Sequence, residues 1–193
     1  MEKTDIETFC PRSQQEWRQW LEENHHLKRS IWLIYYKKKS NVPTITWSDA
    51  VDEALCFGWI DSTKKSIDDH TFMQFFCQRK PNSVWSKINK TKIDRLITHG
   101  LMAPAGHKSI DTAKQNGSWT ILDEVEELKI PVDLEIEFKK EEGSIDFFLG
   151  LSKSARKSIL QWLVMAKREE TKQKRIREIV KLAAQKLKPK QFR

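Results

Sequence analysis

The 193-residue sequence predicts an α+β fold: a small, mostly antiparallel sheet packed with several helices, followed by a basic C-terminal helical segment. Three observations carry that expectation. The apolar run Ile31 to Tyr36, within Ser30–Lys39, has the β-branched and aromatic composition of an interior strand. Other apolar residues recur at helical spacing, as in Trp17, Trp20 and Leu21, or Ala155, Ile159, Trp162, Leu163 and Ala166. Charge also divides along the chain: Met1–Leu151 holds 21 Lys+Arg and 24 Asp+Glu, whereas Ser152–Arg193 holds 14 and 3. The expected division is a core domain over residues 1–128 and a helical segment over 129–193.

Each element has a local reason. Ser13 and Glu16 form a capping box that starts a helix reaching about Asn24. Asn41, Val42 and Pro43 make a turn, and Thr46 or Ser48 then caps a second helix with Asp49, Asp52 and Glu53 near its positive end. Gly58 stops that helix. Trp59 and Ile60 begin a short strand followed by the polar stretch Asp61 to Lys65, and Thr71–Arg79 offers another strand. Ser83 is expected to cap a helix through Trp85, Ile88 and Asn89, with a longer helix from Lys92 to His99. A short helix is expected over Ser109–Asn116, and Asp123–Lys129 reads as acidic surface. Around Asp133 the strand and helix periods conflict; Pro131 favours a short helix. Two helices fill the basic tail, with a junction near Glu169–Thr171.

Composition excludes several classes. Eight Trp and nine Phe are too many bulky apolar groups for a disordered chain. No apolar run approaches the ~20 residues needed to span a bilayer. Met1 to Cys10 carries acids where a secretory signal has a basic region, so no leader is expected. Three cysteines without metal-ligand spacing argue against disulfide-stapled and zinc classes, and the expected location is the reducing cytoplasm. No phosphate-binding glycine loop, zinc-protease motif or serine-nucleophile motif occurs, so no cofactor or metal is implied.

Two stretches concentrate chemistry. Cys56-Phe57-Gly58-Trp59-Ile60-Asp61-Ser62 sets an indole and a carboxylate beside a glycine turn. Arg79-Lys80-Pro81-Asn82-Ser83-Val84-Trp85-Ser86-Lys87-Ile88-Asn89 crowds cations, hydroxyls and an amide around a helix start, a setting suited to an anion. Asp61, Asp68 or Asp69 facing Arg79 would supply acid/base pairing. The competing explanation is structural: Arg79 in an ion pair, Ser83 as a cap, Trp59 and Trp85 as core. Cys56 sits on an apolar helix face and reads as inert packing. The basic tail is either a solvated helical face or a nucleic-acid surface built on Lys167, Arg168, Lys172, Arg175 and Lys181. No aromatic platform interleaves those cations, so nucleic acid is not favoured.

At these stretches the chain resembles the YdeI/OmpD-associated, or bacteriocin-protection, family. The resemblance runs from Trp17, Trp20 and Asn24-His25 through Ile31-Trp32-Leu33, Lys37 to Lys39 and Glu53 to Ser62. It continues through Asp68-Asp69, Arg79 to Ser86, Gly100-Leu101-Met102, Pro104-Ala105-Gly106 and Ala113-Lys114, and ends with Ala166 to Thr171 and Lys174-Arg175-Ile176. Glu169 stands where the family pattern has proline. The resemblance implies a role in tolerance to bacteriocins or peptides, without a reaction, substrate or catalytic residues, and whether the chain is an enzyme stays open. Family-typical polar positions coincide with the crowded ones: Asp61, Ser62, Asp68, Asp69, Arg79, Lys80, Ser83, Trp85, Ser86 and Asn89. With Trp59, they are the expected lining of a polar-aromatic cleft for a small anionic or peptide-like ligand.

Overall fold

The computed structural model describes residues 7–193, so most of the acidic start used to argue against a leader lies outside the described residues. Strands β1 (Thr8–Phe9), β2 (Ser30–Tyr36), β3 (Trp59–Ser66) and β4 (Thr71–Gln78) form one sheet in the spatial order β1-β2-β4-β3. β1 runs parallel to β2, and the other pairings are antiparallel. The α+β expectation therefore holds. On β2, Ile31, Leu33 and Tyr35 are buried while Trp32, Ile34 and Tyr36 are only partly covered. Central position in the sheet thus comes with two unlike faces.

Helix α1 (Gln14–Asn24) is capped by the Ser13 hydroxyl, which accepts the Glu16 N–H at 3.2 Å. A cap of this kind stabilises a helix by about 1 kcal/mol. Its buried stripe holds Trp17, whose indole N–H donates to the Ala50 carbonyl at 3.0 Å. Ala50 belongs to helix α2 (Trp47–Cys56), capped by Thr46. Helices α3 (Lys87–Thr98) and α4 (Pro104–Gln115) follow the sheet.

The second half of the chain is helical: α5 (Asp123–Glu126), α6 (Val132–Phe138), α7 (Ser144–Gly150), α8 (Lys153–Val164) and α9 (Glu169–Ala184). Their apolar faces share a core that includes Leu134, Phe138, Phe148, Ile159, Leu163, Ile176 and Val180. Internal contacts group the chain into two units, one running to Ser83 and resuming over Ile88–Trp119, the other comprising Val84–Lys87 and Thr120–Arg193. Among the described residues no helix is long and apolar enough to cross a membrane.

Several elements differ from expectation for local reasons. Ser83 opens no helix: its N–H donates to the Lys80 carbonyl at 2.9 Å, closing a turn, and a single helix begins at Lys87. β3 continues through the polar residues to Ser66, because pairing with β4 carries an edge strand whose own composition is poor. α4 starts at Pro104 rather than Ser109, with proline in the first turn where its missing N–H costs nothing. Residues 123–126 are helical and bury Val125, and α7 had no sequence signal strong enough to name.

Candidate anion-binding site

Two glycines bring the distinctive motifs of the first unit together. Gly58, at φ +73°, ends α2 in the left-handed conformation that side chains disfavour, and turns the chain into β3. Gly106 lies in the first turn of α4, and a Cβ there would stand 2.2 Å from the Cys56 carbonyl oxygen. The Ala103 N–H donates to that same oxygen at 3.1 Å. The start of α4 therefore sits backbone to backbone on the end of α2, an approach only glycine permits.

This contact forms one side of a cavity of about 360 Å³. His25 and His26, at the end of α1, contribute imidazoles, while Phe57 and Trp59 give it aromatic walls. Gln78 and Arg79 close the sheet side, and Lys108, Ser109 and Thr112 project from α4. The His25 carbonyl is fixed by two donors, the Trp59 indole at 3.3 Å and the Gln78 amide at 2.8 Å. The Arg79 N–H donates to the Gly58 carbonyl at 2.9 Å, tying the exit of β4 to the glycine turn.

The electrostatics are one-sided. Burial pushes the Arg79 guanidinium down to about 10, with the Asp61 carboxylate acting in the opposite direction. Arg79 is still a cation at neutral pH, but in a setting that solvates it poorly. An anion bound in the cavity would add a favourable partner for that charge. Lys108 adds a second cation, and no lining residue is a carboxylate.

The remaining expected site residues are dispersed. The Asp61 carboxylate accepts from the Trp47 indole at 2.9 Å and the Gln74 amide at 3.1 Å, and lines a different cavity. Ser62 is exposed and its carbonyl accepts from Gln74. Asp68 and Asp69 lie at the hairpin turn, whereas Arg79 follows the strand end where Trp59 pairs with Gln78. At about 3.4 Å per residue that separation is roughly 25 Å, so neither carboxylate faces Arg79. Asp68 accepts the His70 and Thr71 N–H groups, which hold its carboxyl below the ordinary value and identify it as a turn-former. Lys80 is exposed; Ser83 and Asn89 are half-buried in the first unit, while buried Trp85 and half-buried Ser86 belong to the second.

Sequence reasoning missed His25, His26, Lys108, Ser109 and Thr112 as lining groups. The available signal was Gly106: a glycine in a helical first turn marks a close approach by another chain segment. It also missed Asp52 and Glu53 as buried acids, 5% and 3% exposed. Asp52 pairs with Lys92 and Arg95, and Glu53 with Arg18 at 2.8 Å. Cys56 is fully buried, and burial pushes its thiol up to about 11, in keeping with inert packing.

The tail cations are partly committed within their own unit. Lys172 pairs with Asp133, and Arg175 stacks on the Trp162 ring at 4.7 Å while donating to its carbonyl. Counted by unit, Val84–Lys87 with Thr120–Arg193 holds 18 Lys+Arg and 13 Asp+Glu. The excess of the tail is thus diluted by the acids of residues 123–146.

Comparison with protein families gives two matches. Residues 9–109 match the family model of a domain of unknown function, DUF8412, and residues 127–186 match the one described as bacteriocin-protection, YdeI or OmpD-associated. The first covers just over half of the chain, including the whole cavity lining except Thr112. No curated protein and no solved structure matched the chain.

Proposed function

Because this chain belongs to the DUF8412 family over residues 9–109 and carries a YdeI/OmpD-associated domain over residues 127–186, we propose that its first unit is a binding module for a small anionic group. The ligand is a phosphate or the carboxylate of a peptide-like molecule, held in the cavity between α1, the α2–β3 turn and α4. One observation carries the reading: Arg79, Lys108 and two imidazoles line a pocket that contains no carboxylate. The Ser109 hydroxyl lines the cavity as a donor or acceptor, and the Thr112 hydroxyl, which donates to the Lys108 carbonyl at 2.8 Å, can still accept. Protection against bacteriocins, the role named in the family description, is compatible with sequestering such a ligand. Three free cysteines support action in a reducing compartment such as the cytoplasm.

The acid/base alternative gains nothing from this geometry, because Asp61, Asp68 and Asp69 lie outside the cavity. Calorimetric titration with inorganic phosphate and with N-acetylglycine tests the proposal. Saturable binding of at least one is expected, weakened about tenfold by Lys108→Gln, the loss of one charge-assisted hydrogen bond. No binding of either anion, or binding indifferent to Lys108→Gln and Arg79→Lys in folded variants, overturns it.

A further inference from the structure

A second cavity in the same unit, about 270 Å³, is lined by Trp47, Asp61, Lys64, Phe72 and Gln74. Its chemistry is opposite to that of the anion pocket. The Lys64 ammonium lies 4.0 Å from the centroid of the Phe72 ring, so one of the chain's own alkylammonium groups already sits against an aromatic wall. The Phe72 ring stacks on Tyr35 at 4.9 Å, with the planes 4° apart. Trp47, half-exposed, stands at the first turn of α2 and donates its indole N–H to Asp61.

Strand geometry makes this arrangement specific. In a regular strand, residues three apart point to opposite faces. Asp61 pairs with Phe76 and Lys64 with Gln74, two neighbours on one face of β4, because the register shifts between Asp61 and Lys64. That bulge turns a carboxylate and a lysine toward one aromatic pocket, and bulges commonly re-aim side chains in this way. Tyr35 backs the Phe72 ring without lining the cavity. Its side chain is only 1% exposed, yet its hydroxyl has no hydrogen-bond partner among the described residues. Burial, with the Asp61 charge adding to it, raises its pKa, so the hydroxyl is neutral.

We infer that the Trp47–Asp61–Phe72 pocket is a binding site for an alkylammonium group from outside the chain, with Lys64 as its displaceable internal occupant. The Phe72 ring attracts the cation, Asp61 supplies the counter-charge, and Gln74 lies at the polar end. Lys64 is exposed on an edge strand, so its ammonium returns to water when displaced and retains full hydration. Its neighbour Lys65 lies 4.7 Å from the Trp32 ring centroid, on the opposite face. The chain's own lysine shows the chemistry the pocket accepts: a primary amine on a flexible apolar stem.

Two sources share that chemistry, a lysine side chain in a peptide and a free diamine. The test therefore titrates the protein with an α-acetylated, amidated lysine and with 1,4-diaminobutane, using n-butanol as the neutral control, and measures each affinity by calorimetry. Binding of either amine is expected, and the tighter of the two identifies the source. Lys64→Ala should tighten binding by about two- to fivefold, because it removes a competitor that occupies the site most of the time. Trp47→Ala, at a half-exposed position that folding tolerates, should weaken it tenfold or more. Failure of both amines to bind Lys64→Ala, equal binding of butanol, or an unchanged affinity in Lys64→Ala overturns the inference.

Discussion

The two units use their charged residues differently. In the first, charges are drawn into the interior: Asp52 and Glu53 are buried against Lys92, Arg95 and Arg18, and Arg79 is largely removed from water beside a cavity. In the second, charge stays closer to the surface over an apolar core, with Lys174–Glu170 and Lys129–Glu127 both well exposed. Buried charge is costly unless a specific partner compensates it, whereas exposed pairs contribute little. Partners therefore decide function and stability in the first unit, and apolar packing decides stability in the second. A count of total charge conceals this.

The comparison breaks most readily at the glycines. Gly106→Ala drives a Cβ into the Cys56 carbonyl and should destabilise the first unit by at least about 3 kcal/mol, measured by denaturant unfolding. Gly143→Ala, in the second unit, meets no atom within 4 Å and suffers only from its φ of +70°, a cost of about 1 kcal/mol. Equal losses at the two positions would show that the close approach of α4 to α2 is not what Gly106 serves.

Buried pairing gives the next largest effect. Arg18→Ala leaves the Glu53 carboxylate, whose side chain is 4% exposed, without its counter-charge but still bonded to the Gln14 amide, and should cost about 2 kcal/mol, discounted from a fully buried pair because Arg18 reaches solvent. Lys174→Ala should change stability by less than about 0.5 kcal/mol.

A pH experiment sharpens the same contrast inside the second unit. Burial works against ionisation of Glu126, but the Lys157 ammonium at 2.6 Å and the Lys87 N–H outweigh it, placing the carboxyl below its ordinary value of 4.5. A depressed carboxyl stabilises the fold fully above that ordinary value. The contribution disappears as pH falls from there through the folded-state value. Glu126→Gln should therefore lower stability at pH 7 by about 1 kcal/mol or less and flatten the acid limb of a stability-against-pH curve. An acid limb identical to that of the parent protein would assign acid sensitivity elsewhere.

Much of the fold was legible because local chemistry and tertiary packing agree at Ser13, Thr46 and Gly58, whose caps and turn stand where the residues imply. β3 beyond Ile60 was not legible, since an exposed strand of Asp, Ser, Thr and Lys is defined only by its partner β4. Ser83 misled because a serine before apolar residues caps a helix or closes a turn with equal ease. At the candidate cavity, Trp59 and Arg79 were readable as chemically crowded positions. His25, His26 and Lys108 were not, because nothing local indicates that the end of α1 and one face of α4 meet there. Asp68 and Asp69 stood out by composition, yet turn geometry explains Asp68.

The central claim is that the anion-seeking surface is the Arg79 cavity rather than the cation-rich tail. Crystals soaked in tungstate, an anomalously scattering oxyanion, test it directly. The account predicts an anomalous peak between Arg79 and Lys108, reduced in Lys108→Gln. Peaks confined to the α8–α9 surface around Lys167 and Arg168, with none in the cavity, would contradict it.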